Sequence, residues 1–130
     1  MTFVHGVDLI EVSRVKRMLD DHGDSFLSRC FTETEQSVSN VSSDETRMQR
    51  YAARFAAKEA VMKALGTGWG NGVGWKDISV QSVDGPPQVQ LSGGAQERAL
   101  ELGISHWVLS LSHSESHAIA SVIGAGGKDA

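Results

Sequence analysis

Apolar and polar residues alternate near both ends of the chain and recur at three- and four-residue spacing through its middle. Residues 2–10 (TFVHGVDLI) alternate and predict a strand, with Phe3, His5, Val7 and Leu9 on one face and Thr2, Val4, Gly6 and Asp8 on the other. Residues 11–21 switch to helical spacing. Val12, Val15 and Leu19 form a core face, Arg14, Arg17, Met18 and Asp21 another, and His22-Gly23 closes the segment. Thr32 stands three residues before Glu35, the spacing of a capping box, and predicts a second, short helix; the Ser-rich residues 37–43 predict a loop. Residues 44–65 predict the longest helix, capped by Asp44, rich in Ala and closed by Gly66.

After the glycine-rich stretch 66–74 the pattern returns to strands. Ile78 and Val80, then Val89 and Leu91, flank an Asp84-Gly85 turn signal. Residues 95–102 predict a short helix ended by Gly103. Residues 105–112 alternate again, with Trp107, Leu109 and Leu111 on one face and His113 in phase with them. Residues 118–123 predict a last strand, and 124–130 a frayed tail. The order predicts one α+β domain over 1–130, an antiparallel sheet packed against one long and several short helices.

Composition narrows the function. The chain has 130 residues, 40% hydrophobic and 22% charged, which is globular. Its net charge of −4 argues against nucleic acid as the main ligand. Nine of the 12 Lys and Arg fall in residues 1–63, so a polyanion is expected to bind that half. The single Cys30 excludes an internal disulfide and suits a reducing cytoplasm, with a small buried residue as its default role. No apolar run reaches the ~18 residues of a membrane span, and no signal core opens the chain.

Glu59 is the local oddity. It lies on the apolar seam Met48, Tyr51, Phe55, Met62 of the long helix, where a bare carboxylate is costly. Either it sits at the seam's margin paired with Lys63 one turn on, or it is a metal ligand. Asp8, at the end of the first strand, is either a solvated turn former or a second ligand. Two carboxylates completed by water and phosphate oxygens suit Mg²⁺. Arg47, Arg50, Arg54 and Lys58 make a basic flank, readable as a solvated face or a phosphate site. The GTG stretch lacks the P-loop spacing, and Ser110, Ser112 and Ser114 lack nucleophile-elbow glycines. His113 and His117, on strand rather than helix, make a poor zinc pair.

Four stretches, in order, are GVDLIEVSRV (6–15), FTETE (31–35), RFAAKEAVMKALGTG (54–68) and LSLSHS (109–114). Together they closely resemble the holo-acyl-carrier-protein synthases, the small phosphopantetheinyl transferases, across about residues 3–123. The resemblance implies an α+β trimer that binds coenzyme A in clefts between subunits. It implies Mg²⁺-dependent transfer of 4′-phosphopantetheine to a serine of an apo carrier protein or carrier domain, releasing 3′,5′-ADP, in fatty acid biosynthesis. Asp8 and Glu59 match the metal carboxylates, and Lys63 and Arg54 match contacts to coenzyme A phosphates. Gly66 is implied as a further coenzyme-binding residue; Pro87, His113 and Ser114 match the nucleotide end. Arg14, Arg17 and Met18 match the carrier-docking face. The catalytic set is then Asp8, Glu59 and Lys63, with Glu59 or a water held near Asp8 as the base. Asp20, Asp21 and Asp24 depart from the basic first helix common in the family, which implies weaker steering of an acidic carrier. A non-catalytic coenzyme-binding module and a Mg²⁺-dependent phosphohydrolase are the alternatives.

Overall fold

In the computed structural model, which describes residues 1–40, 43–68, 71–82 and 86–127, two antiparallel sheets surround a central helix. The larger sheet has the order β1-β5-β4, from Thr2–Glu11 (β1), His117–Gly126 (β5) and Ile104–His113 (β4). The smaller pairs Ile78–Gln81 (β2) with Gln88–Leu91 (β3). The helices are Val12–His22 (α1), Asp24–Cys30 (α2), Glu33–Ser39 (α3), Asp44–Leu65 (α4) and Gly93–Leu102 (α5), with a 3-10 turn at Trp75–Asp77.

The long helix has the predicted bounds, with Gly66 in the left-handed conformation at its end, but Ser43 rather than Asp44 caps it, accepting from the Thr46 N–H at 3.1 Å. The capping box is present: Thr32 Oγ1 accepts from Glu35 N, and Glu35 Oε1 from Thr32 N. Its helix runs on to Ser39, so the loop expected from residue 37 begins later. The helix α2 carries no capping signal on its own: its N-cap is Gly23, without a side-chain bond, which is why the pattern did not announce it. Phe26, Leu27 and Cys30 bury it. The tail expected from residue 124 is instead strand as far as Gly126, paired with β1 from Val4↔Gly124 to Thr2↔Gly126. A Cβ on Gly126 would lie 1.8 Å from Gly103 O, so glycines here permit close strand packing, not fraying. Asp84-Gly85 falls outside the described residues.

The sheet faces the helix with its small residues. Gly6 on β1 and Ala118, Ala120 and Val122 on β5 point inward against the Ala-rich side of α4. A Cβ on Gly6 would come within 1.8 Å of Ala60 O. That contact draws β1 onto α4. The larger apolar residues point the other way: Phe3, Val7, Leu9, Val108, Ile119 and Ile123 are all exposed.

Candidate active site

Asp8 lies two residues beyond Gly6 on the same inward face, so the glycine contact carries its carboxylate to α4. Asp8 Oδ1 accepts from Lys63 Nζ at 3.0 Å, and the same ammonium donates to Val7 O at 3.1 Å. Asp8 is nearly buried and Lys63 exposed, with side chains 11% and 56% accessible. Lys63 thus turns to Asp8, not back to Glu59 as the helical spacing allowed. Glu59 is half-buried. Burial pushes its carboxyl above the usual carboxylate range, the Asp8 charge pushes it further, and Arg14 and Lys63 pull it down. Two carboxylates from opposite parts of the sequence therefore feel each other's charge, and cations answer it only in part.

This donor set fits a magnesium ion. Both groups offer hard oxygens, one is costly to bury charged, and two carboxylates leave room for the waters and phosphate oxygens that Mg²⁺ retains. Among the described residues no third His, Cys, Asp or Glu joins them to form a larger cage.

Two cavities flank Glu59. One, of about 270 Å³, is lined by Glu59, Met62, Lys63, Gly68 and Trp75. The other, of about 290 Å³, contains Glu59 and Trp75 again, with Arg14, Met18, Phe26, Cys30 and Phe55 among its lining. Arg14 and Met18 thus share a cavity with Glu59; Arg17 is exposed on the same helix and lines neither. Gly66 is the helix C-cap, φ 72°, and does not line the first cavity, where Gly68 does. Burial pushes the Cys30 thiol up, which keeps it protonated and inert.

The remaining candidates gather elsewhere. Arg54, Pro87 and His113 line a third cavity, of about 370 Å³, with Arg50, Val38, Leu111 and others, and it shares no residue with the two around Glu59. Arg54 is 5% exposed. Burial lowers its pKa from the usual guanidinium value, as does its neighbour Arg50, and its Nε has no hydrogen-bond partner among the described residues. A buried, unsatisfied guanidinium nitrogen beside a second guanidinium is suited to an anion. Ser114 is not part of this lining. Its hydroxyl accepts from the N–H groups of Ser116 and His117 in the β4–β5 turn.

The basic flank of α4 is not one surface. Arg47 bonds Asn40 and lies over the Tyr51 ring, Arg50 donates to Val38 O at 2.8 Å, and Lys58 is fully buried. Lys58 Nζ pairs with Glu35 Oε1 at 2.7 Å and also donates to the carbonyls of Trp75 and Ile78. The other Glu35 oxygen accepts from Val80 N. Trp75 is a cavity residue that sequence reasoning missed, and Arg50 one that it did not single out. Arg50 was readable as one member of the flank, but nothing in the spacing of Trp75 connects it with Glu59.

The profile of the 4′-phosphopantetheinyl transferase superfamily matches residues 5–122. The holo-[acyl-carrier-protein] synthase of Solibacter usitatus is 44% identical over 119 residues, covering 91% of this chain and 94% of the relative. The chain belongs to the holo-acyl-carrier-protein synthase family. The enzyme of that name from Herpetosiphon aurantiacus is 45% identical, covering 95% of this chain and 98% of its own. Among solved structures, the Bacillus anthracis synthase in complex with coenzyme A (3′,5′-ADP) superposes with TM-score 0.78 at 35% identity, over 95% of this chain and 96% of that one. The Helicobacter pylori synthase in complex with coenzyme A gives 0.80 at 27%, over 93% and 99%. The α+β fold expected from the sequence is the fold of this family, and the chain is a phosphopantetheinyl transferase.

Proposed function

We propose that this family member transfers the 4′-phosphopantetheine arm of coenzyme A to a serine of an apo acyl carrier protein or carrier domain, releasing 3′,5′-ADP, as a step of fatty acid biosynthesis. The observation that carries this reading is the convergence of Asp8 and Glu59 beside Lys63, with Glu59 between a cavity lined by Lys63 and one opening onto α1. Asp8 and Glu59 would hold Mg²⁺, which when bound neutralises charge on the diphosphate. The serine oxygen attacks the β-phosphorus as the bond to the departing 3′,5′-ADP oxygen breaks. Lys63, exposed beside Asp8, places positive charge, or a proton, at that departing oxygen. Glu59, or a water held near Asp8, takes the serine proton.

The third cavity, with Arg50, Arg54, Pro87 and His113, has the charge for the nucleotide phosphates, yet within one chain it stands apart from Glu59. A homotrimer resolves this, with the cleft joining the nucleotide half of one copy to the metal half of the next. The exposed apolar sheet face supports such assembly, since contiguous surfaces of this kind mark protein contacts. Ser114, Gly66 and Arg17 keep their family roles as part of this reading. On α1, Lys16 is tied to Asp20 at 2.9 Å, which fits weakened steering of an acidic carrier. No helix among the described residues is long and apolar enough to cross a membrane, and the buried lone thiol fits a reducing cytoplasm.

Mass spectrometry of an apo carrier incubated with enzyme, coenzyme A and Mg²⁺ tests the reading. A gain of about 340 Da on the carrier supports transfer. Turnover of coenzyme A with unmodified carrier would reveal a phosphohydrolase, and binding without turnover a non-catalytic module. Full activity of a monomer in sedimentation would refute the shared cleft.

A further inference from the structure

Trp75 is the wall common to both cavities that meet at Glu59. On one side lie Lys63 and Gly68, on the other Met18, Phe26 and Phe55. The indole is half-buried and fixed from two directions. Its ring stacks on Phe55 with centroids 4.8 Å apart and planes 21° from parallel. Its backbone carbonyl accepts from Lys58 Nζ at 3.0 Å, and Glu35 neutralises that ammonium in turn. The indole N–H has no hydrogen-bond acceptor among the described residues, and in a half-buried ring it is available to a ligand. A rigid flat face with an available donor, set between two spaces that each mix apolar and charged side chains, suits a chain that carries both amides and methyl groups.

Resting on the function proposed above, we propose that Trp75 is a specificity-determining residue that braces the pantetheine arm of coenzyme A as the arm passes Glu59 towards the acceptor. Its face covers the apolar part of the arm, and its N–H donates to an amide carbonyl. The nucleotide part of the coenzyme lies beyond its reach.

The test compares two ligands, coenzyme A and 3′,5′-ADP, which lacks the arm. In Trp75→Leu the KM for coenzyme A rises about tenfold, while inhibition by 3′,5′-ADP stays within about twofold of the parent enzyme. Trp75→Phe keeps the stacking and loses the donor, and its KM rises about threefold. Equal weakening of both ligands would mean that the wall merely supports the fold, and an unchanged KM for coenzyme A would likewise overturn the proposal. If Trp75→Leu does not fold, the Trp75→Phe comparison decides. Parent enzyme that transfers no arm at all refutes the function itself, and calorimetric binding of the two ligands to Trp75→Phe still decides the role of the indole.

Discussion

Two lysines five residues apart on α4 each meet a carboxylate, at 2.7 Å for Lys58–Glu35 and 3.0 Å for Lys63–Asp8, and the two pairs behave as opposites. The first is sealed: both side chains are 0% exposed. Every Glu35 oxygen and the Lys58 ammonium have further backbone partners, so the pair ties α3, α4, β2 and the 3-10 turn together. Its charges are fixed in place and have no access to a substrate. The second pair is open on the lysine side, and its carboxylate has a neighbour, Glu59, that the single lysine does not neutralise. Residue type and distance are nearly the same. Solvent access and the surplus carboxylate separate a fastener from a site.

Breaking the sealed pair gives the largest effect. Glu35→Gln leaves the Lys58 charge buried without compensation and should cost about 3–5 kcal/mol, a large share of the stability of a domain this size, read by urea unfolding. The double variant Glu35→Gln with Lys58→Met should regain part of that loss, and no recovery would mean that the backbone bonds, not the charges, hold this node.

The open pair should respond the other way. Lys63→Met leaves the nearly buried Asp8 without its donor and should cost about 1–3 kcal/mol, less than the sealed pair because the lysine itself is exposed. Turnover should nevertheless fall about a hundredfold, or ~2.7 kcal/mol of transition-state stabilisation. A large loss of stability with normal turnover would erase the distinction between the pairs.

Gly6→Ala tests how the open pair is delivered. The added carbon meets Ala60 O at 1.8 Å, so β1 must lift from α4, at about 1–3 kcal/mol in unfolding. Turnover should fall with it, because Asp8 moves with the strand; unaffected turnover would show that the approach of β1 does not set the site.

The smallest effect concerns Glu59. A carboxyl whose pKa is raised on folding loses stability as pH climbs through its ordinary range and above. Glu59→Gln should therefore melt at the same temperature as the parent or slightly higher near neutral pH, and the gain should vanish in acid, where the parent carboxyl is protonated. Added Mg²⁺ should raise the melting temperature of the parent and leave that of Glu59→Gln unchanged. A variant that melts lower at neutral pH would show that the carboxylate is already compensated.

Much of this was legible in the chain. The bounds of α4, the capping box at Thr32 and Glu35, and the strand alternation are local, because helix caps and side-chain periodicity involve residues only a few positions apart. The family likeness named Asp8 and Glu59 as partners, and the seam position of Glu59 already marked it as strained. Less legible was which way the sheet turns. Phe3, Val7 and Leu9 are its more apolar face, yet they point outward, because only the Gly and Ala face can approach α4 closely enough. The basic flank misled for a related reason: nothing in the spacing of Lys58 tells that Glu35 waits in a buried pocket across from it. Of the three tryptophans, Trp107 is on the large sheet and Trp75 in the 3-10 turn, while Trp69 lies outside the described residues.

The sequence by itself determined the family, the helices and strands with local signals, and the residue types from which a metal and phosphate site could be built. Only the tertiary structure decided which lysine is locked and which is free, and that Trp75 stands between the two cavities at Glu59. The physical reason is that burial and charge coupling arise between segments far apart in the chain: Glu35 and Lys58 are 23 positions apart and Asp8 and Lys63 are 55, and desolvation exists only once the intervening elements have packed.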